Sequence, residues 1–451
     1  MTRGLRRDVL EHHGGRGTCR GRSLVGRSLV GLAALSLAVA GCSGSDDEPG
    51  AGSPGDGSAI SPQPVGVANA GTAQAPLRVG VVVSLTSDPG QGQDWLDGAE
   101  GARVAEYRLD QGGGAVDLEV LDDQGTANGA ITAVEQLVES GVAGIVLATD
   151  GDHVQGALES SAASETPVLL PYYRGSGGLP AHAFRTAPTE DDVDAALLAA
   201  LGEQGLDKPF VLTADGLSAD GVGSADALAY RGNNVEKLAR RITVARGNGR
   251  IDSVVIAAAA ATQAEIVSAL RGRLEDLPIV LTPEAQTPTF ATSLDTEAGT
   301  IASRFSSAGV DASDATTMTS SPAADAVAAY FAALRLAAGD DAVTDLFGDG
   351  PFSDAAGEAD IASHDAVIAI AAAAAAAESL EPAAVLESLG GLTVSTTDGL
   401  AGPDLDFSDS DTLADSAVVP LLATVQDPGV RPPVADGGAR LFWFALDPGS
   451  R

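Results

Sequence analysis

The sequence predicts an α/β chain of two doubly wound, parallel-sheet lobes joined by a hinge that the backbone crosses more than once. Three observations carry this. The 451 residues, 44% hydrophobic, exceed what one ordinary core uses. Short, almost wholly apolar runs of β type alternate with helical runs on short connections, the pattern of a parallel sheet covered on both faces. That rhythm breaks near Pro188 and then restarts.

The first 41 residues read as an export signal. Residues 1–27 hold seven arginines and only two acids, Asp8 and Glu11. The apolar run from Ser28 to Ala40 is about a dozen residues, short of the roughly 20 needed to cross a bilayer. It ends in Val39-Ala40-Gly41-Cys42, which resembles the lipobox of bacterial lipoproteins. The resemblance implies a mature N-terminus at a lipidated Cys42 and an anchor of two or more acyl chains, which hold where one is marginal. Cleavage there leaves a net charge of about −41. Residues 43–76 are rich in Gly, Ser, Pro and Asp and read as a tether. The GxGxxG match at 50–55 has no strand before it and no helix after it, so it predicts no dinucleotide site.

From Leu77 the elements follow in order: strand 77–84, helix 95–108, strand 116–121, helix 130–140, strand 144–148, helix 157–163 and strand 167–170. After Pro188 come helix 193–203, strand 210–213, strand 253–258, helix 263–271 and strand 279–281. Helices are expected over 323–338 and over the Ala-rich 364–378, with strand-like runs at 418–425 and 441–446.

The net charge of −36, with only Lys208 and Lys237 as lysines, argues against nucleic acid. There is no GxSxG, P-loop or HExxH, and the five histidines lack metal-ligand spacing, so the expectation is a non-enzyme with no cofactor and no metal.

Several segments in sequence order resemble the type I periplasmic binding proteins, in particular their branched-chain amino acid-binding branch. They are Leu77–Thr86, Asp97–Ala102, Gln111–Gly114, Leu118–Gln124, Val138–Val142, Phe184–Pro188, Ser363–Val367, and Gly399–Gly402 with Leu405–Phe407. The resemblance implies one lobe of 77–190 plus 322–392 and a second of 191–321 plus 393–451. It also implies a small-molecule ligand, amino acid-like and polar, captured between the lobes for a membrane permease and its ATPase. A sensory or non-transporting binding lipoprotein is the alternative. Either way the expected place is the extracytoplasmic face of the cell membrane.

Ligands in such folds sit beyond the carboxyl ends of the strands. The candidates there are Ser84, Thr86, Trp95, Thr149, Asp150, Tyr172, Tyr173, Arg174, Asp215 and Glu284. Ser84 and Thr86 either cap the turn after the first strand or face the ligand. Tyr172 and Tyr173 either pack or line the cleft. The chain departs from the amino acid binders at Thr149–Asp152, where the family places a serine, and at Tyr172–Arg174, where it places small residues and a threonine. Arg174 is one replacement grip for a carboxylate; the alternative is a ligand that is not an α-amino acid. Residues 227–251 look short, as though the second lobe had lost an element.

Overall fold

The computed structural model describes residues 64–68, 71–72, 75–175, 177–274, 277–298, 304–433 and 440–445. Cys42 and the export and anchoring readings lie outside them.

The first sheet is built from β1 (Leu77–Val83), β2 (Val116–Asp122), β3 (Gly144–Leu147), β4 (Val168–Leu170) and β5 (Ala183–Arg185). Between these strands run helices α1 (Gly101–Gln111), α2 (Ala127–Ser140) and α3 (Val154–Ser161). The order is β2-β1-β3-β4-β5, every pair parallel. Strand β1 is apolar except for Arg78 because both its faces are covered. Val79, Val81 and Val83 pack on one side; Val82 packs on the other with Val134, Leu137 and Leu158. Helix α2 shows how locally the sequence decides: Thr126 caps its first turn through Gly129 N, and Gly141 ends it at φ 75°.

The second unit starts at α4 (Glu190–Glu203), opened by a Thr189–Asp192 capping box. It continues through β6 (Pro209–Thr213), β7 (Asp226–Ala229), α5 (Val235–Gly247), β8 (Ser253–Ala257), α6 (Ala260–Leu274), β9 (Ile279–Leu281), α7 (Pro288–Ala298) and β10 (Phe305–Val310). Helices α8 (Pro322–Ala338), α9 (Phe352–Ala355), α10 (Ile361–Ala377) and α11 (Pro382–Leu389) return to the first lobe. A small ladder of β11 (Thr393–Val394) and β12 (Leu405–Asp406) follows, and β13 (Val418–Thr424) with β14 (Phe442–Ala445) ends the second sheet. That sheet runs β14-β13-β10-β9-β8-β6-β7; β13 and β14 are its antiparallel members. The chain thus crosses between lobes after β5, after β10 and after β12.

Five expectations change. The stretch 227–251 carries a strand and a helix, so a complete βα unit stands where an element looked lost. The expected helix from Trp95 begins only at Gly101, preceded by two short 3-10 turns. A Cβ at Gly101 would run into the backbone of Asp360, so this glycine lets α10 approach. Residues 393–407, expected with the second lobe, pack in the first: Val394, Leu400, Leu405 and Phe407 share a core with β1 and α10. Their apolar side chains find that face uncovered, and the return to the second sheet waits until β13. The tether also stops short of residue 76. Val65 and Val67 are partly buried against the first lobe, tied by Val67 N–Arg108 O and Arg108 Nε–Val65 O, both 2.9 Å. Finally, the second sheet is parallel only from β7 to β10.

Among the described residues no single helix is long and apolar enough to cross a membrane. The Ala-rich α10 is a core helix, buried over most of its length.

Candidate functional site

The carboxyl ends of both sheets face each other, and the lobes are closed on one another. Asp94, in the loop after β1, accepts from Ala260 N at the start of α6 (3.4 Å), linking first lobe to second. The Arg174 guanidinium, beyond β4, bonds the Glu284 carboxylate beyond β9 and lies 3.9 Å from Asp150 beyond β3. Burial opposes the charge on Arg174, yet the two carboxylates outweigh it and hold its pKa above the ordinary arginine value. Burial pushes Asp150 up to about 6; Arg174 only partly offsets this because Glu284 takes the guanidinium and adds its own repulsion. Arg174, read as a ligand's carboxylate grip, is therefore an internal bridge between lobes.

The strand-end hydroxyls are engaged in the same way. Ser84 Oγ donates to Asp123 Oδ1 and lies 2.7 Å from Thr149 Oγ1. His153 Nε2 sits 2.9 Å from Asp123 Oδ2 and 3.3 Å from Thr149 Oγ1. Ser84, Asp123 and Thr149 are fully buried. Gly92, at φ 105°, lies on both hydroxyls so tightly that a Cβ there would strike Thr149 and Ser84. Thr86 is exposed at the rim, and Gly125 packs under its carbonyl. Asp215, exposed at φ 55°, accepts from Ala259 N at 3.2 Å and so caps the approach to α6. Tyr172 and Tyr173 point opposite ways, as neighbours in extended chain do. Tyr173 packs among Leu170, Ala183 and the α3 side chains, whereas Tyr172 faces the cleft.

On the hinge side of this polar cluster, the lobes enclose a cavity of about 290 Å³. Trp95 and Tyr172 stack on its first-lobe wall, centroids 4.8 Å apart and planes 13° apart. The Tyr172 hydroxyl donates to Asp360 Oδ2 at 2.8 Å. Asp360 also caps α10 through Ser363 N, and burial raises its pKa to about 6 despite these bonds. Gln286, Val310 and Trp443 line the opposite wall, and the crossover residues Thr186–Pro188 line the base. Two arginines from the segment between β13 and β14 close the edge. Arg431 Nε shares its proton between the two Asp314 oxygens at 2.8 and 2.9 Å, and Arg440 pairs with Glu358 at 2.6 Å.

Of the sequence candidates, Trp95, Tyr172 and Arg174 line this cavity. Ser84, Thr149, Asp150 and Glu284 gather in the polar cluster beside it; Thr86, Tyr173 and Asp215 do neither. Sequence reasoning missed Asp94, Thr186, Asp360, Arg431 and Trp443. For Thr186 a signal existed, since it lies in the Phe184–Pro188 crossover. For Arg431 and Trp443 there was none, because they come from a hairpin whose placement depends on the whole fold.

Residues 76–420 match the family described as periplasmic binding protein. No curated protein matches the chain. Among solved structures it is similar to LivJ, the branched-chain amino acid transporter substrate-binding protein of Streptococcus pneumoniae, in complex with isoleucine. That likeness is 16% identity over 78% of this chain and 97% of that one, TM-score 0.56. An ABC transporter substrate-binding protein of Desulfitobacterium hafniense, complexed with Leu, matches at 18% identity over 81% and 99%, TM-score 0.57. An extracellular ligand-binding receptor of Rhodopseudomonas palustris HaA2 matches at 18% identity over 82% and 100%, TM-score 0.57. With the family match spanning three quarters of the chain, and both lobes winding as those structures do, this protein belongs to the periplasmic binding protein family, with the type I fold.

Proposed function

We propose that the protein is an extracytoplasmic solute-binding lipoprotein, anchored through Cys42 to the outer face of the cell membrane, that captures a small solute between its lobes and hands it to an ABC-type permease with its ATPase. The observation that carries this is the cavity walled by both lobes and the crossover segments, since a solute held there touches both lobes and its binding is coupled to their closure. The relatives solved with isoleucine and Leu make an amino acid-like solute the first class to try. The chain has no enzymatic motif, and its role on this reading is binding alone.

A second reading has its own support. The Arg174–Glu284 pair joins the lobes with the protein's own charges, as expected of a sensory or non-transporting lipoprotein whose cleft no longer takes a charged ligand. The test is thermal melting of the chain from Ser43 onward against amino acids, amides, polyamines and small acids. A true ligand at roughly 1,000 times its Kd stabilises the protein by about 4 kcal/mol; silence across the set favours the second reading. Membrane anchoring is tested separately by Cys42→Ala, which on this proposal loses acyl labelling and leaves the membrane fraction.

A further inference from the structure

Most polar groups around the cleft are satisfied by one another, and two on the cavity wall are not. Trp443 Nε1 and Thr186 Oγ1 are buried and have no hydrogen-bond partner among the described residues; their residues are 7% and 8% exposed and line the cavity. An indole N–H only donates, so it needs an acceptor, and leaving it without one is costly. The threonine hydroxyl can give or take. The lining of the same cavity includes the apolar or aromatic Trp95, Tyr172, Val310 and Leu421.

The charges on the wall are already matched. Arg174 holds Glu284, Arg431 holds Asp314 and Arg440 holds Glu358. Asp360 takes the Tyr172 hydroxyl and the Ser363 N–H. A carboxylate entering the cavity finds no unpaired cation. Among the described residues an ammonium finds only Asp94, held by one long bond to Ala260 N. A buried charge without a partner loses far more solvation than a neutral polar group does.

We propose that the hinge-side cavity takes an uncharged solute, apolar in body, whose acceptor oxygen is received by Trp443 Nε1 and whose second polar atom meets Thr186 Oγ1. This rests on the solute-binding reading and departs from a zwitterionic amino acid as its ligand.

One hydrocarbon body in four charge states tests it: N-acetyl-leucinamide (neutral), leucinamide (cation), N-acetyl-leucine (anion) and leucine (zwitterion). Binding to the purified full chain is read by melting and by tryptophan fluorescence. Trp95 and Trp443 are its only two tryptophans, and both line the cavity. The neutral probe should bind tightest. Trp443→Phe, which keeps a ring and removes the donor, should weaken that probe roughly tenfold, the value of one hydrogen bond, while the ligand-free protein still melts cooperatively. Tightest binding by leucine overturns the inference and leaves the uptake reading standing. Tightest binding by the cation or the anion overturns it as well. No response to any of the four at millimolar concentration overturns it and moves the protein to the non-transporting reading.

Discussion

The two ends of the interlobe cleft solve the same physical problem in opposite ways. At the strand-end side, Ser84, Thr149 and Asp123 satisfy one another under Gly92, His153 joins them through Nε2 while its buried Nδ1 has no partner among the described residues, and Arg174 neutralises Glu284. On the hinge side, an indole N–H and a hydroxyl of cavity-lining residues have no partner among the described residues. Buried polar groups almost always find a partner. The strand-end side is thus satisfied except at one ring nitrogen, whereas the hinge side leaves two polar atoms open on residues that line a cavity, and that is where a ligand has most to contribute.

The largest effect is expected where the self-satisfied end is cut. Asp123→Ala removes the common acceptor of Ser84 Oγ and Gly125 N and strands His153; chemical denaturation should show a loss of about 4 kcal/mol. A loss under about 1 kcal/mol would mean that water already serves these groups and that the contrast between the ends fails.

Next comes the bridge. Arg174→Leu leaves Glu284 and Asp150 as unpaired neighbours and should cost about 3 kcal/mol. It should also open the lobes, raising the radius of gyration in solution scattering. The double variant Arg174→Leu with Glu284→Leu should recover much of that stability, since removing both partners of a buried pair is far milder than removing one.

A third orphan lies away from the cleft and sharpens the comparison. Glu100 accepts Leu346 N through Oε1, while its buried Oε2 has no partner, and burial lifts its pKa to about 7. A raised carboxyl pKa means that the folded state prefers the protonated form. Its stabilising share is complete below the ordinary value near 4.5 and is lost as pH rises through about 7. Glu100→Gln should therefore raise stability at pH 8 by about 2 kcal/mol and by almost nothing at pH 4. No pH dependence in that difference would show that Oε2 is not isolated. The glutamate has a remedy in taking a proton. The Trp443 indole has none, which leaves an acceptor from outside as its remedy.

The smallest expected change is the stability of Trp443→Phe without ligand, a loss of about 1 kcal/mol, because the smaller ring leaves buried volume unfilled although no hydrogen bond to a described residue is lost.

The fold was legible in the sequence because its strands advertise themselves. The almost wholly apolar β1 and β8, and the caps at Thr126 and Thr189, are local signals. The site was half legible for the same reason: residues leaving strand ends can be named in advance, and Trp95, Tyr172 and Arg174 do reach the cavity. What they do there depends on partners remote in sequence. Arg174 meets Glu284 across 110 positions, and Tyr172 meets Asp360 across 188. The segment 393–407 was misplaced because its apolar residues suit either lobe, and only the uncovered face beside α10 decides between them.

The most direct test of the account is calorimetric binding of N-acetyl-leucinamide to the wild type, Trp443→Phe and Ser84→Ala side by side. The account predicts an affinity loss of roughly tenfold for Trp443→Phe and less than about twofold for Ser84→Ala. A loss confined to Ser84→Ala would place the ligand at the strand-end cluster and contradict the assignment of the hinge-side cavity.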